Sequence, residues 1–278
     1  MNTFAKLDNR YIFTGTLMST EAMHIGSGEG DVRSDSTFVK SNGNFHIPGS
    51  SLRGVFRSTV ERIVASLGDH TCLLSPNDQE KCITISRDTQ EKYKEKVGKG
   101  EKDLDLVKWL SEKNRLCKTC NVFGSTHYAS KVRIADLPLI NINSQAIQPE
   151  GIIRTGNFID RDTETASDGA LFDFEVIEKG FQFQFEIIAE NLEGDDFGIL
   201  SLGLQELLIG NITIGARASV GLGKCQLNDD VSIQFFDNND HKFTLKKYLE
   251  DDEMGVLPVG WIKGRVKEYL SGVFKMKG

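Results

Sequence analysis

Alternating hydrophobic and polar positions mark the strands of this chain. The alternation is clearest over residues 180–190, where three phenylalanines are separated by glutamines. A period of two that is rich in aromatic and β-branched residues predicts a half-buried strand. Weaker β patterns, which predict further strands, occur at residues 10–20, 36–40, 44–47, 132–135, 169–178 and 225–227. Glycine-containing turn signals at 41–43 and 178–180 separate neighbouring strands.

Amphipathic helices are predicted where the hydrophobic spacing changes to 3.6 residues. This spacing occurs at residues 52–67, 197–209 and 262–274. In the first of these, Leu52, Phe56 and Val60 share one face, and Gly68 follows as a residue suited to end a helix. The resulting order is strand, helix, two strands, helix and strand. That order predicts an α+β fold with a ferredoxin-like, RNA-recognition-type βαββαβ core.

A polar segment over residues 69–125 interrupts this order. It holds four of the five cysteines, a charged stretch and one predicted short helix at residues 104–113. The 278-residue chain is long enough for one elaborated domain or two small ones, at roughly 150 residues per domain. We interpret it as a single domain, because its elements form one βαββαβ set. Its parts are a core over about 1–68 and 126–227, the insertion 69–125 and a C-terminal extension 228–278.

Charge narrows the classes of function. The net charge of −7 argues against a general nucleic-acid coat protein. Charge is uneven, however: residues 228–255 carry a net −5 and residues 263–277 a net +4. A local phosphate-binding surface is therefore compatible with an acidic chain. Because there is no long apolar run and no signal-peptide pattern, we expect a cytoplasmic protein without membrane contact.

The cysteines of the insertion suggest a metal site. Cys117 and Cys120 form a C-x-x-C motif, whose spacing lets two thiolates reach one metal ion. With Cys72 and Cys82 they offer four soft ligands, which suit a structural zinc ion, and His70 is an alternative to Cys72. Unpaired structural thiols are a second interpretation. A redox pair is a third, although the thioredoxin-like βαβ context of such pairs is absent.

The start of the first helix is a candidate phosphate-binding site. Gly49, Ser50 and Ser51 place backbone N–H groups at a helix N-terminus, where the dipole favours anions. Arg53 and Arg57 are four residues apart and so share one helix face, from which they could grip two adjacent phosphates. The alternative is a helix capped by serine with two solvated arginines.

A glycine-rich loop, GARASVGLGK, is the second candidate for phosphate contact. Its spacing is not that of a Walker loop, and it precedes a strand, which excludes a Rossmann fingerprint. Such a loop still lets the backbone approach phosphates closely, although an ordinary turn explains it equally well. The candidate contacts are Gly215, Arg217, Gly221, Gly223 and Lys224.

Two further features have ordinary explanations when taken alone. His24, in the glycine-containing segment 24–30, is expected to be a packed histidine rather than a catalyst. The polar stretch 154–167 is rich in carboxylates and lies between β elements. The default interpretation of this stretch is a solvated loop. Its length and its place between β elements also fit a long protruding hairpin or loop.

Together these motifs resemble the RAMP superfamily, the repeat-associated RNA-binding proteins of CRISPR systems. The similarity is greatest to the backbone subunit of type III effector complexes and covers about residues 10–227. The cysteines ahead of Phe123 resemble those of zinc-bearing members. The matching motifs are HIGSG at 24–28, Asp35 with its following serine, IPGSSLRGVFR at 47–57, VFGS at 122–125 and the glycine-rich loop 215–224.

The resemblance implies a subunit that stacks along a guide RNA to which a target RNA pairs. Its partners would be other RAMP subunits and the large subunit of the complex. A thumb hairpin within residues 154–169 would push one nucleotide out of the stack. Asp35 would then support cleavage of the target RNA, either by holding a divalent cation such as Mg²⁺ or by accepting a proton. Asp31 lies close enough in sequence to be confused with it.

Two other functions within the superfamily stay open. One is a structural guide-binding subunit that does not cleave. The other is a metal-independent endoribonuclease that processes the guide RNA, for which His24 would be the catalytic candidate.

Overall fold

The computed structural model describes most of the core and little of the insertion. The described residues are 6–32, 34–72, 116–125, 128–140, 150–157, 159–162, 164–165 and 171–275, with the isolated positions 95 and 99. Cys82 and the predicted helix at 104–113 lie outside the described residues.

The described residues form twelve strands, five α-helices and one 3-10 turn, Ala218–Val220. The strands are β1 (Asn9–Ser19), β2 (Lys40–Ser41), β3 (Asn44–Ile47), β4 (Val132–Ile134), β5 (Leu137–Pro138), β6 (Ile152–Gly156), β7 (Phe172–Val176), β8 (Gln182–Glu190), β9 (Ile212–Thr213), β10 (Lys224–Leu227), β11 (Ser232–Asp237) and β12 (Gly255–Leu257). The helices are α1 (Gly49–Ser66), α2 (Lys118–Phe123), α3 (Asp196–Leu208), α4 (Leu245–Asp251) and α5 (Gly260–Lys275). None of these helices is long and apolar enough to cross a membrane.

Strand β1 is the centre of the main sheet. It pairs antiparallel with β8, from Arg10 opposite Glu190 to Met18 opposite Gln182, and β8 pairs with β4. On its other edge, the second half of β1 pairs antiparallel with β10. The antiparallel order β10-β1-β8-β4, with α1 following β1 and α3 following β8, is compatible with the predicted βαββαβ fold.

The hydrophobic core lies between this sheet and helices α1 and α3. Alternate residues of β1 and β8, such as Phe13 and Phe185, are fully buried in one cluster with the apolar face of α1. Helix α3 approaches α1 closely at Gly203, where an added Cβ would lie 2.3 Å from the ring of Phe56. The period-two and period-3.6 patterns of the sequence therefore mark the two sides of one core.

Helix α1 begins three residues earlier than predicted and is not capped by serine. Pro48 is its N-cap, and no side chain caps the helix from that position. Instead, the Asp136 carboxylate accepts the Gly49 N–H at 2.7 Å. Ser50 and Ser51 lie inside the first turn, so the expectation of a serine cap is wrong. Gly49 is required here, because a Cβ would lie 2.5 Å from the Ile134 carbonyl oxygen.

The C-terminal extension adds to both the sheet and the helical layer. Strand β11 pairs with the first half of β1, and β12 pairs with β11. Helix α5 packs on α3, where Gly198 lies under the side chain of Tyr269. The ring of Trp261 stacks on that of Tyr11, with centroids 5.7 Å apart.

A two-stranded ribbon stands apart from the main sheet. Strands β6 and β7 pair antiparallel, from Ile152 opposite Val176 to Gly156 opposite Phe172. The segment 157–171, which connects them, is described in part. Strands β7 and β8 are consecutive and joined by a turn, but they pair with different strands. β7 pairs with β6, whereas β8 pairs with β1 and β4.

Candidate nucleic-acid interface

Asp35 lies exposed beside the β6–β7 ribbon. Its Oδ2 accepts a hydrogen bond from the Asp173 backbone N–H at 2.8 Å. This bond gives the carboxylate a partner on β7. Asp31 lies at a tight turn, where its backbone N–H donates to the Ser34 carbonyl at 2.8 Å. The two neighbouring aspartates therefore have different surroundings.

The chain around Asp35 runs along β7 like an additional strand. The Ser36 N–H donates to the Asp173 carbonyl at 3.2 Å, and the Glu175 N–H donates to the Ser36 carbonyl at 2.9 Å. These bonds form a parallel bridge between Ser36 and Phe174. The candidate catalytic residue is thus attached to the ribbon through its own carboxylate and through the backbone of the next residue, Ser36.

His24 is a packed histidine, as expected. It is 4% exposed, and its Nδ1 lies 2.6 Å from the Glu175 carbonyl oxygen. Its Nε2 lies 3.2 Å from the Ser36 hydroxyl, and its ring meets Phe174 edge to face. The histidine thereby joins the ribbon to the segment that carries Asp35.

The buried carboxylate of Glu175 completes this contact region. It accepts the Phe38 backbone N–H at 2.9 Å and pairs with the Lys40 ammonium at 2.8 Å. Burying a carboxylate is costly unless it is paired and hydrogen-bonded, and both conditions hold here. The buried carboxylate of Glu175 therefore has both a hydrogen-bond donor and an ion-pair partner within residues 36–40.

The glycine-rich loop lies against the same region. Gly215 has φ +96°, and a Cβ there would lie 2.2 Å from the His24 carbonyl oxygen. The following Ala216 N–H donates to that oxygen at 2.9 Å. At the other end, Gly223 has φ +87° and its N–H donates to the Ala22 carbonyl at 2.7 Å. Both glycines are needed for this close approach.

Arg217 connects the loop to the ribbon. It adopts the left-handed conformation, with φ +63°. Its guanidinium carbon lies 4.3 Å from the ring centroid of Phe172 and 4.2 Å from that of Phe174, within cation–π range. Gly221 and Lys224, the other candidate contacts at this end of the loop, are exposed. Asp35, Arg217 and the loop glycines are thus brought together around β7.

Large apolar side chains are exposed on the same elements. They occur in the loop before Asp35, in the ribbon and its connecting segment, and in the glycine-rich loop. They are Val32, Ile152, Ile153, Ile159, Leu171 and Val220. These side chains supply apolar surface on the elements around Asp35 and Arg217.

Arg53 lies on α1, away from this region, and contacts backbone oxygens. Its guanidinium donates to the Val132 carbonyl at 3.0 Å, to the Ser130 hydroxyl at 3.2 Å and to the Phe123 carbonyl. Burial, followed by the nearby charge of Arg57, lowers the pKa of this arginine from its ordinary value. Arg53 therefore links α1 to β4 and to the end of α2.

Arg57 is more deeply buried than Arg53, with 8% of its surface exposed. It pairs with Glu61 at 2.8 Å and donates to the Gly124 carbonyl at 2.7 Å and to the Cys120 sulfur at 3.3 Å. Burial alone would lower the pKa of this guanidinium, but Glu61 and Cys120 outweigh it and the pKa is raised. Phosphate contact by Arg57 stays a prediction, and such a contact would share its N–H groups with these partners.

A cavity of about 310 Å³ opens beside the two arginines. It is also lined by Phe123, Tyr128 and Ser130. Burial, with smaller effects of Asp196 and Glu193, raises the pKa of Tyr128 to about 12, so its hydroxyl stays protonated.

Three of the four predicted metal ligands lie together. The sulfur atoms of Cys72, Cys117 and Cys120 are buried and lie within 4.8 Å of one another. The Cys117 sulfur also caps α2 by accepting the Cys120 N–H at 3.4 Å. Soft thiolates at such separations suit a tetrahedral metal ion such as zinc. His70 is exposed and outside this group, while Cys82 lies outside the described residues.

The sequence did not predict the residues that organise this region. Phe172 and Phe174 carried a signal, because they occupy alternate positions of one predicted strand and so share a face. Asp173 acts largely through its backbone and Glu175 also through its buried carboxylate, and neither carried a signal. The contacts of His24 with β7 join residues 151 positions apart, which no local pattern reveals.

Comparison with known families identifies the family of this chain. A family model described as the RAMP superfamily matches residues 16–226, which is most of the chain. The match begins near the end of β1 and includes α1, the ribbon and the glycine-rich loop. Comparison with curated protein sequences gave no match. Membership of this family implies a CRISPR-associated function in RNA binding. From its fold, its motifs and this match, the chain belongs to the RAMP superfamily.

Proposed function

We propose that this protein is a guide-RNA-binding backbone subunit of a type III CRISPR interference complex that cleaves target RNA with Asp35. The observation that carries the proposal is the joint position of Asp35, Arg217 and the glycine-rich loop around the β6–β7 ribbon. The proposed partners are a guide RNA, a target RNA, other RAMP subunits and the large subunit. The ribbon and its connecting segment would act as the thumb that displaces a nucleotide.

Cleavage would use the 2′-hydroxyl of the displaced target nucleotide as the nucleophile. Its oxygen attacks the adjacent phosphorus, the bond to the 5′-oxygen breaks, and that oxygen leaves with a proton. Displacing the nucleotide supplies the in-line geometry. Asp35 is an exposed carboxylate, which suits either acceptance of the hydroxyl proton or binding of a hard cation such as Mg²⁺. A bound Mg²⁺ would stabilise negative charge on the phosphate oxygens.

RNA contact is assigned to two groups of residues. The first is the glycine-rich loop, where Arg217 and Lys224 supply charge and the glycines allow close backbone approach. The second is the start of α1, with Gly49, Ser50, Ser51, Arg53 and Arg57. Lys224 is exposed at the start of β10, so a phosphate can reach it without rearrangement.

A structural metal ion is proposed for the cysteine cluster. Cys72, Cys117 and Cys120 would hold zinc, with Cys82 as the fourth ligand. Four thiolates leave no open coordination position, so the zinc would stabilise the insertion and take no part in cleavage.

The decisive experiment replaces Asp35 with alanine in an assembled complex. Target binding should stay intact, because the side chain is exposed and makes one hydrogen bond to β7. Cleavage at the positions served by this subunit should fall at least ~100-fold, the usual scale for a lost acid–base group. Asp31→Ala is the matched control and should cleave normally. If the complex cleaves at the wild-type rate with either variant, neither aspartate carries cleavage, and this subunit is a binding scaffold only.

Guide processing is the remaining alternative, and chelation separates it from the proposal. A histidine-centred processing enzyme would cut with EDTA present, whereas a carboxylate that holds Mg²⁺ would not. The burial of His24 favours the proposal, because a ring that is 4% exposed has little access to RNA.

A further inference from the structure

We infer that His24 is a positioning residue that fixes Asp35 against the ribbon and the glycine-rich loop. The inference rests on the proposed function for the role of Asp35, and on contacts of the described residues for the role of His24. His24 would touch no RNA; it would act through Asp35.

Asp35 needs such support because its own side chain makes little contact. Among the described residues, its carboxylate accepts a hydrogen bond from one backbone N–H, that of Asp173. The residues on either side of it carry the attachment. The Ser34 hydroxyl bonds to the Ser36 and Asp173 carbonyls at 2.8 and 3.1 Å, and Ser36 forms the bridge to β7. The location of the carboxylate is therefore set by how firmly this short segment is held to β7.

His24 holds that segment from the buried side. The Glu175 carbonyl can only accept, so Nδ1 carries a proton and donates to it, and Nε2 hydrogen-bonds with the Ser36 hydroxyl. One ring thus spans from β7 to the residue next to Asp35. The ring is 4% exposed, so water would not readily replace either bond.

The backbone of His24 extends the connection to the third part of the interface. Its carbonyl oxygen accepts the Ala216 N–H at 2.9 Å, next to Gly215, which fits only without a Cβ. A single residue therefore contacts the Asp35 segment, the ribbon and the glycine-rich loop. Reacting groups that are misplaced by about 1 Å can lose ~100-fold in rate, so loosening this junction should affect cleavage more than binding.

The test compares two substitutions in the assembled complex. Asparagine places its side-chain nitrogen where histidine has Nδ1, so His24→Asn keeps the bond to Glu175, whereas His24→Ala loses both bonds. We expect His24→Ala to lower single-turnover cleavage about 10- to 100-fold with target affinity unchanged. His24→Asn should restore most of the rate. In an Asp35→Ala background, His24→Ala should have no further effect, because it acts through Asp35.

Hydrogen exchange supplies a readout that does not depend on cleavage. The Ser36 and Glu175 amides should exchange faster in His24→Ala and near the wild-type rate in His24→Asn. Wild-type cleavage and exchange in His24→Ala would overturn the inference, and so would a further loss of cleavage in the double variant. If Asp35→Ala itself cleaves normally, the proposed function fails, and the exchange rates alone decide the positioning role. Should His24→Ala not fold, His24→Leu, which fills more of the space and also lacks both bonds, takes its place with the same expectations.

Discussion

Among single residues, two glycines of the same loop make a matched pair. Gly221 and Gly223 both have φ near +85°. A Cβ on Gly223 would lie 2.1 Å from the Ile214 carbonyl oxygen, whereas a Cβ on Gly221 would meet nothing within 4 Å. We expect Gly223→Ala to lower the free energy of unfolding by about 2–4 kcal/mol and Gly221→Ala by about 1 kcal/mol. Urea unfolding measures both, and equal losses would contradict this account of the loop.

The charge of Lys224 leads to a prediction about salt. An exposed lysine that contacts a phosphate releases about one counterion on binding. Lys224→Ala should therefore weaken binding of all guide sequences alike and reduce the salt slope of binding by about 1. Lys246→Ala is the control, since Lys246 is an exposed lysine on α4, outside the interface. Unchanged slopes in both variants would remove Lys224 from the RNA surface.

The role of a single residue was predictable from the sequence only where a local pattern of residue types indicated it. The glycines of the loop were identified because their spacing is unusual, and the structure gives Gly215 and Gly223 close backbone contacts. The environment of Arg57 was not predictable. Its position four residues after Arg53 suggested a shared exposed face, but its partners Gly124 and Cys120 come from the insertion, more than 60 residues away.

Among the elements, α2 and its cysteines give the next prediction. Cys120→Ser should abolish zinc binding, from about one ion per chain to near zero, and lower the thermal midpoint, because the buried cluster would lose its metal. Cys225→Ser is the control, as Cys225 is equally buried but lies on β10. Burial raises the pKa of its thiol to about 12, so it stays protonated and is a poor ligand. Metal analysis of freshly purified protein decides, and zinc retained in Cys120→Ser would contradict the assignment.

Elements with one buried face were predicted within a few residues. This holds for β1, β8, α1 and α5, in which one side faces the core and the other does not. It holds also for α3, which is buried over most of its length and is marked by its apolar residues. Strand β6 was missed, since nearly all of its residues are exposed and no alternation arises. Helix α2 was missed for another reason: it has six residues and is capped by a cysteine sulfur, so neither length nor periodicity marks it.

For the molecule as a whole, the extension completes the fold. One edge of β1 pairs with β8, and the other is shared between β10 and β11. A chain ending at residue 227 would therefore leave this second edge open along the first half of β1. An exposed edge of this kind promotes aggregation. The sequence predicted α5 but not this pairing, because β11 joins β1 from more than 200 positions away and the family match ends at residue 226.

Trp261 tests whether the extension belongs to the same cooperative unit as the core. Its ring contacts Tyr11 and Phe197, with centroids 5.7 and 5.9 Å away, so it ties α5 to β1 and α3. If the chain is one unit, Trp261→Ala should lower the free energy of unfolding by about 3 kcal/mol within a single transition. Phe274→Ala, on the same helix but 60% exposed, should change it by less than about 0.5 kcal/mol. Two separate transitions in the Trp261 variant would mean that the extension unfolds independently, and the core would then keep its stability without it.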